Sequence, residues 1–232
     1  MSTHVELSHP IESGMRTYPD LPSPVVSEHL TRAMSRAHYA SGTEFSIGRI
    51  NMIGNTGTYL DAPFHRFSNG ADLATLELAS LADLPGLLVH APPKGERAID
   101  AGSQRQALAG RDPRGCAVLL HTGWAQRWGT DAYLDASHHP YLTQEAAEQL
   151  VAGGAALVGI DSLNIDDTTN DERPVHTILL GAGIPIVEHL CHLDDLPEQG
   201  FHFSAAPTPV RGMGSFPVRA YARLLGNGNH EQ

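Results

Sequence analysis

Two apolar runs with a helical segment between them constrain this chain more than any other feature. Cys116 to Trp124, C-A-V-L-L-H-T-G-W, is continuously apolar up to a glycine turn, the pattern of a strand buried on both faces. Next comes L-T-Q-E-A-A-E-Q-L-V-A-G-G. Thr143 stands at its cap with Glu145 nearby, and Gly153-Gly154 stops it. A-A-L-V-G-I-D follows as a second buried strand with Asp161 at its carboxyl end. Strand, helix, strand is a crossover unit with parallel pairing. The fold class is therefore α/β, and polar residues at the carboxyl ends of such strands, here Asp161 and His121, stand where sites gather. A helix cap or loop anchor is the competing role for Asp161.

The rest of the chain fits around this unit. Residues 4–30 begin with a short strand and become a proline-rich connector or lid, because four prolines between Pro10 and Pro24 forbid a helix. Tyr18, before Pro19, is held extended on that loop. Residues 43–53 alternate at Phe45, Ile47, Ile50 and Met52 as a half-buried strand. The run L-A-T-L-E-L-A-S-L has helical spacing, and Leu87 to His90 reads as a buried strand closed by two prolines. A helix capped near Ser103 runs to Gly110. Pro174 opens a further helix with His176 in its first turn, and glycines at 181–183 close it. The short strand after it puts Glu188 on the same face as Ile184, Ile186 and Leu190. The tail holds one strand, a glycine-rich turn and a final strand, with fraying from Leu225.

A chain of 232 residues can bury a full core, and it shows no repeat and no linker long enough to divide it into domains. Its net charge of -11, with only 15 Lys and Arg, argues against nucleic acid as a partner. No apolar run approaches a bilayer span and no signal-peptide pattern opens the sequence. The expectation is a cytoplasmic protein with a small-molecule substrate and no membrane contact, its cysteines Cys116 and Cys191 buried as free thiols.

The chemistry concentrates between Asn55 and His65, N-T-G-T-Y-L-D-A-P-F-H. Along an extended strand, Asn55, Gly57, Tyr59 and Asp61 point one way and Thr56, Thr58 and Leu60 the other. Pro63 ends the strand, and His65 turns back from the following loop. An amide, a phenol, a carboxylate and an imidazole are thereby aligned. The competing reading is a solvated polar face beside a surface histidine. Outside this segment Glu188 is the most informative residue, since a carboxylate on an apolar face must be paired or bound to a metal.

These residues resemble the cyclase family, which includes the bacterial kynurenine formamidases. Its signature, H-x-G-T-H-x-D-x-P-x-H, is matched at Gly57, Thr58, Asp61, Pro63 and His65. Further phrases agree in order: E-L-S-H-P-I-E-S-G-M-R-T-Y-P, L-L-H-T-G-W, L-V-G-I-D, P-V-H-T-I-L-L and V-E-H-L-C-H-L-D-D-L-P. The resemblance implies a single-domain swivelling β/β/α fold with a mixed sheet and a homo-oligomer, dimer or tetramer. It also implies hydrolysis of a small amide, ester or lactone at one or two divalent metals. Carried over, Asp61, His176 and Glu188 hold a metal, while His65 gives and takes the proton. Tyr18 touches substrate, and Asn55 and Phe64 are further substrate-contact candidates. Asn55 and Tyr59 occupy the two metal-histidine positions. An amide is a poor zinc ligand and a phenol ionises reluctantly, so the first metal site is absent as the family builds it. One nitrogen with two carboxylates suits zinc, manganese or magnesium.

Three readings follow. The leading one is a one-metal hydrolase with His65 and Asp61 catalytic and Tyr59 donating to the oxyanion. The second is a metal-independent acid–base enzyme, an isomerase, lactone hydrolase or dehydratase, built on Asp61, Glu188, His65 and His176. The third is an inactive homologue that keeps the pocket to bind a ligand.

Overall fold

A computed structural model describes residues 3–90 and 96–225. The two prolines after His90 and the tail beyond Leu225 lie outside them. The strands are β1 (His4–Glu6), β2 (Val25–Leu30), β3 (Ile47–Asn51), β4 (Tyr59–Asp61), β5 (Leu84–His90), β6 (Ala98–Ile99), β7 (Ala117–His121), β8 (Tyr141–Leu142), β9 (Leu157–Ile160), β10 (Ile186–Glu188), β11 (Phe201–Ser204), β12 (Ser215–Pro217) and β13 (Tyr221–Leu224). The helices are α1 (Arg32–Ser35), α2 (Ala101–Leu108), α3 (Gln144–Gly153) and α4 (Pro174–Gly181).

Nine strands form one mixed sheet in the order β1-β13-β11-β5-β7-β9-β10-β4-β12. β5, β7, β9 and β10 run parallel, each joined to the next through one of α2, α3 and α4. The crossover read from the sequence is thus the middle one of three. The apolar run in β7 divides by the strand's period of two. Val118 and Leu120 join the core under the helices with Leu150 and Leu179, while Ala117 and Leu119 join the opposite core with Leu60, Phe201 and Phe203.

Caps explain where the helices start. Thr143 accepts from the Ala146 amide at 3.3 Å and Gly154 closes α3 in the left-handed region, as the sequence indicates. α2 is capped instead by Asp100, which accepts from Gly102 and Ser103, so Ser103 lies inside the first turn. The side chain three residues ahead of the expected cap reaches the free amides first.

Several expectations are corrected. The run 73–81 makes only a 3₁₀ turn at Leu78–Ser80. The strand expected from Asn55 shrinks to β4, because Gly57 adopts φ +63 and donates to Thr17 rather than to a ladder. Within 43–53, Phe45, Ile47 and Ile50 are exposed rather than half-buried, and of the four alternating apolar residues only Met52 is partly covered. β3 is exposed along its length and pairs with β2, a strand the proline-rich connector concealed. Leu190 leaves the face of Ile186, packing in the opposite core, because His189 at φ +57 breaks the alternation. The tail carries three strands, β12 taking the edge beside β4. Both cysteines are free and buried. No described helix is long and apolar enough to cross a membrane.

Candidate active site

β4 is short, but it is flanked on both sides, and the register delivers the site. Asp61 lies opposite Ser215 of β12 and Ile186 of β10, while Tyr59 lies opposite Pro217 and Glu188. Cross-strand neighbours on one face touch. Tyr59 Oη accordingly donates to Glu188 Oε2, and Ser215 Oγ donates to Asp61 Oδ1. After Asp61 the chain enters a 3₁₀ turn, Pro63–His65, which folds the His65 imidazole back to 2.9 Å from Ser215 Oγ. The turn sits so close to Gly214 that a Cβ there would stand 2.4 Å from the His65 nitrogen, so only glycine fits.

Ser215 has one hydroxyl proton. Since it goes to Asp61, the bond to His65 is donated by Nδ1–H, which leaves Nε2 as the free base. Asp61, Ser215 and His65 form a relay from a fully buried carboxylate to a partly exposed imidazole.

His176 is fixed from behind. Fully buried Asp166 accepts from the amides of Val175 at 2.7 Å and His176 at 3.0 Å, and from His176 Nδ1 at 2.6 Å. One carboxylate therefore caps α4 and orients the imidazole. His176 Nε2 then faces Asp61 Oδ2 at 3.5 Å and Glu188 Oε1 at 3.8 Å. Burial pulls the His176 pKa down, but the bond to Asp166, the Asp61 carboxylate facing Nε2 and the charge of Glu188 outweigh it and raise the pKa to about 10. Burial, and then Asp61, raises the pKa of Glu188 against the pull of His176.

A phenol cluster occupies the space beside Glu188. Tyr18 Oη lies 3.0 Å from Glu188 Oε2 and 2.8 Å from Tyr59 Oη, and accepts from Asn164 at 3.1 Å. Burial, then the Glu188 charge, holds both phenols well above the usual tyrosine range, so they stay protonated. Glu188 Oε1 accepts from the Ile165 amide at 2.7 Å, leaving that carboxylate engaged on both oxygens. Tyr59 spends its proton on Glu188.

Tyr18, Asn55, Tyr59, His65, His176 and Glu188 all line one cavity of about 990 Å³, with Arg66 and Arg173 among its other lining residues. Asp61 lies behind this wall, and Phe64 is half-buried outside the lining. Asp161 is elsewhere, holding the turn after β7 by accepting from Thr122 and Gly123. It is the loop anchor of the two roles open to it, and His121 stays beside it, Nε2 at 4.0 Å. The sequence reading passed over Ser215, Asp166 and Asn164. For Asn164 and Asp166 the one signal was N-I-D-D, just beyond the carboxyl end of β9; Ser215 gave none.

The residues around Asp61 fit a divalent ion. Asp61 Oδ2 is buried without a hydrogen-bond partner. Asp61, His65 and His176 each offer a donor atom within 4.8 Å of the others, a group that does not include Glu188. Two imidazoles and a carboxylate fit one divalent ion.

Sequence and structure comparisons identify relatives of the whole chain. The family model described as putative cyclase matches residues 5–167. The chain is 30% identical to the kynurenine formamidase of Geobacillus thermodenitrificans over 194 residues, covering 83% of this chain and 87% of the relative. It is 28% identical to that of Polaromonas naphthalenivorans over 222 residues, covering 95% and 90%. Among solved structures, isatin hydrolase A from Labrenzia aggregata superposes with a TM-score of 0.83 at 22% identity, over 96% of this chain and 94% of that one. A potential metal-dependent hydrolase with cyclase activity superposes with a TM-score of 0.76 at 25% identity, covering 96% and 98%. With the family model matched over residues 5–167 and a relative 30% identical over most of both chains, the chain belongs to the cyclase family.

Proposed function

We propose that the protein is a hydrolase that opens the C–N bond of a small amide, an aryl formamide or a cyclic aryl amide, with esters and lactones as chemically related substrates. The observation that carries this reading is the Asp61–Ser215–His65 relay, which ends in a free imidazole nitrogen at a cavity large enough for such a molecule. The formamidase relatives and the isatin hydrolase fold supply the bond type.

His65 Nε2 takes the proton of an attacking water and returns it to the leaving nitrogen. Ser215 and Asp61 hold the tautomer this requires. Asn55 lines the cavity and makes no side-chain hydrogen bond among the described residues, so its amide is free for the substrate carbonyl. Asp61 and His176 would hold the ion, which would supply Lewis-acid polarisation of that carbonyl, while His65, the third donor of the group, keeps its free nitrogen for the proton. Zinc, manganese and magnesium are all admitted by this donor set. Tyr59 serves the wall of the site through Glu188 rather than as an oxyanion donor.

Hydrolysis of N-formylkynurenine and of isatin, followed spectrophotometrically, tests the reading. The expected result is turnover of at least one, reduced ~10²–10⁴-fold in His65→Ala. Chelation is expected to lower it as well, and turnover indifferent to chelators would select the metal-independent version. No turnover of formamides, cyclic amides, esters or lactones would overturn the hydrolase assignment.

A further inference from the structure

Two arginines line the catalytic cavity, and the proton chemistry of the site uses neither. Arg66 and Arg173 share its wall with His65 and His176. In a chain of net charge -11 a guanidinium has many carboxylates to choose from. Elsewhere it finds one: Arg16 meets Asp131, Arg97 meets Asp167 and Arg223 meets Asp83. Among the described residues, no carboxylate comes within 4.0 Å of Arg66 or Arg173. Asp20, Asp171 and Glu172 line the same cavity, so acids are at hand but do not close on either cation.

Arg66 is nonetheless held in place. Its backbone N–H bonds to the Pro63 carbonyl at 3.1 Å, closing the same 3₁₀ turn that positions His65. Its Nε donates to Thr177 Oγ1 at 3.1 Å, and the guanidinium carbon stands 5.8 Å from the centre of the Phe67 ring. Thr177 follows His176 in α4, and its hydroxyl proton goes to the Arg173 carbonyl at 2.7 Å, which leaves the oxygen to accept from Arg66. Arg173 spends Nη1 on the carbonyls of Asn170 and Glu172, at 2.7 and 2.6 Å. Nη1 and Nη2 of Arg66, and Nε and Nη2 of Arg173, keep their hydrogens free of partners among the described residues. A two-nitrogen edge of this kind matches the two oxygens of a carboxylate. The three acids on the wall disfavour a dianion such as phosphate, whose second charge they would repel.

We infer that Arg66, with Arg173 as the second cation of the same wall, takes a carboxylate carried by the substrate, and that the enzyme selects aryl amides bearing such a group over neutral ones. This rests on the hydrolase reading of the cavity and adds the charge of the substrate to it. A guanidinium already fixed by Thr177 and Phe67 has less freedom left to lose on binding. His65 and Arg66 are consecutive, so one turn fixes both the anchor and the base, and anchoring the carboxylate sets the amide near Nε2.

The probes are formanilide and the ortho, meta and para formamidobenzoates, one aryl formamide without and with a carboxylate. Wild type is expected to favour at least one formamidobenzoate over formanilide in kcat/KM by ~tenfold or more, chiefly through KM. Arg66→Met is expected to bring that preference to within ~threefold of unity. Calorimetry with the corresponding aminobenzoates needs no turnover, and binding to wild type is expected to be at least ~tenfold tighter than to Arg66→Met. The two readouts separate this inference from the reaction: Arg66-dependent binding with no amide hydrolysed would keep the carboxylate site and remove the hydrolase assignment. Equal kcat/KM for neutral and carboxylate-bearing amides in wild type would overturn the inference. So would aminobenzoate binding that is absent, or that Arg66→Met leaves intact.

Discussion

Asp166→Asn is the substitution that separates the orientation of His176 from its presence. The native carboxylate is fully buried and accepts three hydrogen bonds, from the Val175 amide, the His176 amide and His176 Nδ1. Asparagine has the same shape but one acceptor oxygen, and its NH₂ group must face a donor. Losing a charge-assisted bond to the imidazole costs ~1.5–3 kcal/mol. Weakening the cap of α4 adds about 0.5–1 kcal/mol. The expected loss of unfolding free energy in urea is therefore ~2–4 kcal/mol. The chemical effect is distinct. A residue that only orients a ligand-bearing histidine changes activity or metal affinity by ~10–100-fold. Steady-state kinetics on the responsive amide, beside metal titration of the same preparation, reads that term. Asp166→Asn within ~0.5 kcal/mol and twofold of wild type in both would refute the argument that this carboxylate sets the imidazole.

Two more perturbations test other parts of the structure. Burial, and then the neighbouring His192, lowers the His9 pKa from 6.5 to about 4, and the ring stacks on Trp128 at 3.9 Å. Between those pH values the unfolded chain binds a proton that the folded chain refuses, so stability falls as pH drops through this window, by at most ~3 kcal/mol. His9→Phe is expected to flatten that part of the urea-stability profile, and an identical pH slope in the variant would count against it. Asn55→His/Tyr59→His restores the two family histidines and frees Glu188 from the Tyr59 phenol. Elemental analysis is expected to show one additional divalent ion per chain, and unchanged metal content would mean that more than these two side chains blocks the first site.

What the sequence made legible was whatever depends on local pattern. The buried run in β7, the Thr143 cap and Pro174 at the start of α4 each carry their physics in a few adjacent residues. Asp61, His65, His176 and Glu188 were readable because a carboxylate or imidazole in an apolar setting advertises a demand for partners. The partners themselves were not. Ser215 is an ordinary serine in sequence and becomes part of the site only because β12 pairs in register with β4. Asp166 looks like a loop acid until α4 folds over it. β2 was missed because prolines just before it masked its pattern, and β3 was called half-buried because its alternation says nothing about whether anything in the same chain covers it.

The edge position of β12 also bears on how the enzyme is made. Asp61 and its hydroxyl partner Ser215 are 154 residues apart, so a chain emerging from the ribosome carries β4 long before the strand that completes it. Contacts of this range close late in folding. Until they do, the His65 turn lacks both its serine and the Gly214 backbone that it packs against. Unfinished or clipped chains that stop short of β12 would hold every acid and base of the site and still be silent, so hydrolytic competence arrives only with the finished fold.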